Sequence, residues 1–173
     1  CDTWEGTIVA CLPQTLPAPD DENKAVGTVN HDNPHLAPWE KWSESGLQLV
    51  AASLGELSQR AEDEARAVFL ISGRVPAHLR EQMIDETGWD IADVVSTPEP
   101  VQQSREISVA YARQFDDETE LFYEKTGEGS FAPIDPNTAE DRRHQSFVEQ
   151  TDPNVYHHLH AYVLEPKKER VKA

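Results

Sequence analysis

The sequence predicts an α+β fold, on three observations. Between Leu47 and Gly73, apolar Leu47, Val50, Leu54, Leu57, Ala61, Ala65 and Val68 recur at steps of three or four, so they share one helical face. The last third instead alternates with period two, as in Ile107, Val109 and Tyr111 within Glu106–Ala112. Val155 to Leu164, VYHHLHAYVL, is the strongest strand pattern in the chain. A helix-rich centre followed by a run of strands argues for α+β. With 173 residues, 38% of them hydrophobic, the expectation is a single domain. It has a central amphipathic helix, a β-α-β unit and a C-terminal antiparallel sheet. The boundaries are an irregular N-terminal arm over 1–38, the α+β domain over 39–166 and a basic C-terminal tail over 167–173.

In chain order, Thr7–Leu12 is β-branched and apolar and reads as one short strand. Pro13, Pro17 and Pro19, then Asp20 to Glu22, break it into a surface arm. His31 to His35 is a turn-rich loop. Trp39 and Trp42 open the helical region, with Ser43 or Ser45 as candidate N-caps. The long helix either runs to Ser72 or ends near Arg66. In the second case Ala67–Ile71 is a buried strand, which four consecutive bulky apolar residues favour. Pro76 suits the first turn of a helix over roughly Pro76–Thr87 with Leu79, Met83 and Ile84 on its apolar face and Gly88 as its stop. Ile91–Val95 returns as a strand, making Ala67–Val95 the β-α-β unit. Glu120–Glu124 and Ser130–Ile134 flank a hairpin turn at Thr126–Gly129, with Pro133 placing its strand at an edge. Asp135–Asp152 reads as polar loop with a short helix.

Charge is the loudest compositional signal. Thirty-two acidic against 15 basic residues give −17, which disfavours polyanionic partners and hence direct nucleic-acid binding. A solubilising surface, a salt-adapted surface (six lysines against nine arginines) and a DNA mimic are the competing readings of that acidity. The tail opposes it: Lys167, Lys168, Arg170 and Lys172 outnumber Glu169 by three. No run approaches the roughly 18 apolar residues of a transmembrane helix. The only methionine is Met83 and the first residue is Cys1, so the chain reads as a lipoprotein cut before its lipidated cysteine, an autoprocessed N-terminal-nucleophile hydrolase, or a stretch that begins there for other reasons. Cys1 and Cys11 can also form a disulfide in an oxidising compartment.

Among chemical motifs, His157-His-Leu-His160 is the strongest. On a strand, His158 and His160 share a face and His157 points away, so the pair can chelate zinc if His144, His31, His35 or a carboxylate supplies a third ligand. The bland reading is a half-exposed face where Tyr156, His158, His160 and Tyr162 pack as amphipathic side chains. His31 to His35 is more simply a turn than a cation clamp. Arg142-Arg143-His144 is more simply a neutralised helix face than an anion grip. Thr126–Gly129 lacks the P-loop lysine, and Asp116 to Glu118 with Glu120 does not match an EF-hand. Cys1-Asp2-Thr3 followed by Trp4 resembles the mature start of the secernin and dipeptidase-type N-terminal-nucleophile hydrolases, in which the cysteine thiolate attacks an amide. The match covers four residues. The Lys-Asn-Ser-Asp-Arg segment of those enzymes is missing, with Pro13–Asp21 in its place, so the resemblance is not carried further.

The sequence therefore points first to a non-catalytic structural or assembly protein, an acidic subunit contacting neighbours in a virion, tail, filament or cell-envelope complex, with a possible lipid anchor at Cys1. An acidic body and a basic tail attract each other between copies, which predicts salt-sensitive self-association. The alternatives are a metal-dependent hydrolase using His158 and His160, and an acidic inhibitor that mimics DNA.

Overall fold

A computed structural model describes residues 3–12, 34–43, 45–102 and 121–168. The fold is α+β, with three α-helices and two four-stranded sheets among those residues. The chain divides into two compact units. The first comprises Cys1–Ile71, His78–Val95 and His160–Ala173; the second comprises Ser72–Ala77 and Ser96–Leu159. The expected strand over Glu106–Ala112, most of the proline-rich arm, the acidic loop at Asp116, and Cys1, His31, Arg170 and Lys172 lie outside the described residues.

In the first unit, β1 (Thr7–Ala10) pairs in parallel with β2 (Arg66–Ser72), and the sheet order is β1-β2-β8-β3, with β3 at Trp89–Ser96 and β8 at Leu159–Pro166. Arg66 meets Glu165 while the Gly73 amide donates to the His158 carbonyl, so β8 runs antiparallel to β2. Lys167 donates to the Gly88 carbonyl and Thr97 to that of Leu159, so β8 is antiparallel to β3 as well. β2 and β3 are thus parallel to each other, joined by α2 (Ala77–Glu86), with β8 inserted between them. This is the expected β-α-β unit, split by the last strand of the chain. The alternation of β2 explains its position: Ala67, Phe69 and Ile71 are buried on one face, while Val68 and Leu70 are half-covered on the other.

The long amphipathic stretch is resolved in favour of its strand reading. α1 spans Gln48–Ser58 and buries Leu47, Val50, Ala51 and Leu54 completely. It stops ten residues before the helical pattern does, which runs on to Val68. Trp4 accounts for this: its amide donates to the Arg60 carbonyl and its carbonyl accepts from Glu62, so the backbone after Leu57 is taken into an extended bridge at Ala61. Ala61 and Ala65 are buried, but not by a helix. Trp39 and Trp42 lie on a 3-10 turn, Ala37–Trp42, rather than in α1. Neither Ser43 nor Ser45 caps α1. Leu47 occupies that position without a side-chain bond, and the Ser45 hydroxyl donates to the Trp42 carbonyl. α2 ends as expected at Gly88, whose φ of +89° favours glycine. Met83 and Ile84 are fully buried on its inner face, joined by Arg80, while Leu79 is half-exposed.

The second unit holds the sheet β4-β7-β5-β6, with β4 at Val101–Gln102, β5 at Phe122–Gly127, β6 at Ser130–Ile134 and β7 at Tyr156–His157. β5 and β6 form the expected hairpin. Its register slips between Lys125 and Gly127, and Pro133 sits on the edge strand β6, where its missing N–H costs nothing. Leu121, Phe122, Ala139 and Val155 form the core, with Ile134 against it.

Two expectations are corrected here. Asp135–Asp152 is dominated by a 14-residue helix, α3 (Pro136–Glu149), not by loop. Its N-terminus is well specified: Asp135 accepts from the Thr138 amide at 2.9 Å and from its hydroxyl at 2.6 Å, and Pro136 occupies the first turn. Val155–Leu164 is not one strand. It breaks at His158, so that Tyr156 and His157 serve one sheet and Leu159 onward the other.

Candidate functional site

Of the two histidines singled out from the sequence, His158 sits at that break and His160 lies beyond it on β8. His158 is half-buried; its Nδ1 lies 3.0 Å from the Thr97 carbonyl oxygen and 3.3 Å from the Thr97 hydroxyl. A carbonyl only accepts, so Nδ1 is the protonated nitrogen when it makes that bond. The ring also stands edge-on to Tyr123, 5.1 Å between centroids. His160, in the first unit, packs against Tyr162 at 6.4 Å. Of the proposed third ligands, His144 is exposed on α3 and His35 lies 3.8 Å from Glu56. Among the described residues, no group of three or more His, Cys, Asp or Glu side chains is placed to hold a metal ion. Cys11 is exposed just after β1. Arg142 forms an ion pair with Glu124 at 2.6 Å, which accounts for one charge of the Arg142-Arg143-His144 run.

Two features emerge that sequence reasoning did not single out. One is a buried polar cluster at the carboxyl end of β2, in the second unit. Ser72, Arg74 and His157 are 3%, 5% and 7% exposed. The Ser72 hydroxyl oxygen accepts from the Arg74 backbone N–H at 3.2 Å and from its Nε at 2.9 Å, and lies 3.0 Å from His157 Nδ1. His157 Nδ1 also lies 3.1 Å from the His158 carbonyl oxygen, which only accepts, so Nδ1 carries the proton when it makes that bond. Arg74 Nη1 is enclosed and has no hydrogen-bond partner. The only hint in the sequence is the order of parts, a buried strand, then Ser72-Gly73-Arg74, then Pro76 at a helix start.

The other feature is β3. Apart from Trp89, every residue of this strand is exposed, including Ile91 (37%), Val94 (40%) and Val95 (57%). It ends the sheet order, so its outer edge carries unpaired backbone groups among the described residues. A depression of about 450 Å3 lies alongside, lined by Glu81, Asp85, Trp89, Asp90 and Ile91 among others. Its rim is acidic, and Lys167 already answers Asp85 at 2.5 Å. The alternation test could not find this edge, because a β3 exposed on both faces has the composition of a buried strand.

Arg80 is the second buried arginine among the described residues. It lies over the Tyr162 ring at 5.6 Å, and its Nε and Nη1 have no partners. Burial lowers its pKa, partly offset by Tyr162 and Glu81; the same burial raises that of Tyr162. Here the aromatic face takes the place of a carboxylate.

No protein-family model matches the sequence, and no curated protein is significantly similar to it. No helix among the described residues is long and apolar enough to cross a membrane.

Proposed function

We propose that the chain is a non-catalytic assembly subunit that joins a second copy of itself through the open edge at β3. The exposure of Ile91, Val94 and Val95 on a strand whose outer edge is unpaired among the described residues carries this reading. Edges of this kind are commonly blunted by lysine or proline, and WDIADVVS has neither, its charges being Asp90 and Asp93. Its two acids also fit a self-pairing. In an antiparallel pair of β3 strands centred on Ala92, Asp90 stands opposite Val94 of the second copy and Asp93 opposite its Ile91. Centring on Asp93 would set acid against acid. The basic tail contributes less than its charge suggests, since Lys167 is engaged with Asp85 of its own chain. Association then strengthens with salt, because each copy carries −17 and screening shortens the repulsion from about 10 Å at 0.1 M to about 3 Å at 1 M.

The test is sedimentation velocity of the wild type and two variants across that salt range. Val94→Glu places a carboxylate opposite Asp90 and should weaken self-association about tenfold or more, whereas Val94→Lys places an ammonium there and should leave it at least as tight. A chain monomeric at every salt concentration, or equal weakening by both substitutions, overturns the reading.

A further inference from the structure

We propose that the basic segment at residues 168–172 of this same chain docks in the acidic depression between α2 and β3. The depression, about 450 Å3 in volume, lies within the first unit, as does β8, the strand that leads into the segment. Glu81 and Asp85 line it from successive turns of α2, and Asp90 faces it from the start of β3. Ile84 and Trp89, both fully buried, form an apolar floor between these acids, and Ile91, 37% exposed, adds an apolar wall. Carboxylates around such a floor suit a cation carried on an apolar stem.

The chain itself brings one there. The Lys167 amide donates to the Gly88 carbonyl at 3.1 Å, next to Trp89, and Lys167 Nζ lies 2.5 Å from Asp85 Oδ1. The backbone leaving β8 is thus pinned to the rim, with one of the three acids already answered. Glu81 and Asp90 are exposed and form no ion pair among the described residues, whereas Glu86, further along α2, is taken by Lys41. Beyond Lys167 the sequence reads Lys168-Glu169-Arg170-Val171-Lys172, three cations against one acid with a valine between the last two cations. Reach is sufficient. Glu81 lies about 6 Å from Asp85 along the helix, and Arg170, three residues past Lys167, reaches about 10 Å in an extended chain before its side chain is counted. In that conformation Arg170 and Lys172 point to one side and Val171 to the other, so the cations meet Glu81 and Asp90 while Val171 settles against Ile91. So short a tether gives the segment an effective concentration on the order of millimolar, which favours it over the tail of a second copy that also carries −17.

The experiment is nuclear magnetic resonance of the isotopically labelled full chain at about 0.1 M and about 1 M salt, which shortens the Debye length from about 10 Å to about 3 Å. Nuclear Overhauser contacts between the Val171 and Ile91 methyl groups are expected at low salt and should weaken severalfold at high salt. Replacing both Arg170→Glu and Lys172→Glu should abolish them. Adding Glu81→Lys and Asp90→Lys to that variant should restore them, a rescue that damage to the fold would not produce. A mixture of labelled and unlabelled chains, filtered for contacts between molecules, tells whose segment is bound. Contacts found only between copies overturn the proposal, as do their absence at low salt and their persistence in the Arg170→Glu, Lys172→Glu variant. The outcome is independent of whether β3 joins two copies, because the contacts are read within one chain.

Discussion

Gly55 sits in the middle of α1, where glycine costs about 1 kcal/mol relative to alanine. The reason for keeping it is the ring of Trp39. A Cβ built on Gly55 would stand 2.2 Å from Trp39 Cζ2 and 3.0 Å from both Cε2 and Cη2. Carbon atoms rest about 3.5 Å or more apart, so Gly55→Ala must push the indole by more than about 1 Å. Overpacking of this kind costs about 1–3 kcal/mol. Trp39 is half-buried and yields in part, which favours the lower half of that range. Setting the cost against the helix-propensity gain leaves a net loss of up to about 1 kcal/mol, or up to about 2–4 °C in Tm for a chain of this size. In a Trp39→Ala background the clash is gone and only the propensity gain remains, so the same substitution should stabilise by up to about 1 kcal/mol. The assay is a double-mutant cycle by urea unfolding, followed by far-UV circular dichroism. A coupling energy of about 1–2 kcal/mol with a change of sign between backgrounds is expected. The same sign in both backgrounds would refute the argument that the ring excludes the methyl group.

Asp135→Ala should cost about 1 kcal/mol by uncapping α3. Hydrogen bonds from the Thr138 hydroxyl and amide hold the Asp135 carboxyl below its usual pKa, so its contribution is present above about pH 4 and lost as pH falls through the lowered folded value. The gap between wild type and variant should therefore close in acid; a gap that persists at pH 2 would contradict the cap. Tyr162→Phe acts at the other extreme. Burial raises the Tyr162 pKa against the pull of Arg80, so the unfolded chain ionises first as pH climbs past about 10, and stability falls from there through the raised folded value. Removing the hydroxyl should flatten that alkaline decline. At neutral pH it also deprives Arg80 of a hydrogen-bond partner, at about 1–2 kcal/mol, and denaturant unfolding at pH 7 and pH 10.5 would show both effects.

Much of the local order was legible because local physics decides it. Pro76 and Gly88 bracket α2, and Thr126–Gly129 turns the hairpin that leaves Pro133 on an edge. The run Ala67–Ile71, too apolar for a helix with one wet face, forms a strand buried between two neighbours. Asp135 and Pro136 also announced a helix, but a period search overlooks one whose polar residues outnumber its apolar ones.

What the amino-acid sequence determined by itself, then, was the class of fold, most strands and turns, and a charge that bounds the partners. Tertiary structure alone decided that α1 stops at Ser58, because the competing bonds come from Trp4, more than fifty residues away. It alone split Val155–Leu164 at His158, since alternation records which way side chains point and not which sheet receives the backbone. The same holds for function. His158 drew notice by its spacing, whereas β3 becomes notable through what does not reach it, a neighbouring strand. Pattern along a chain carries propensity; the pairing of distant residues, and its absence among those described, exists only in three dimensions.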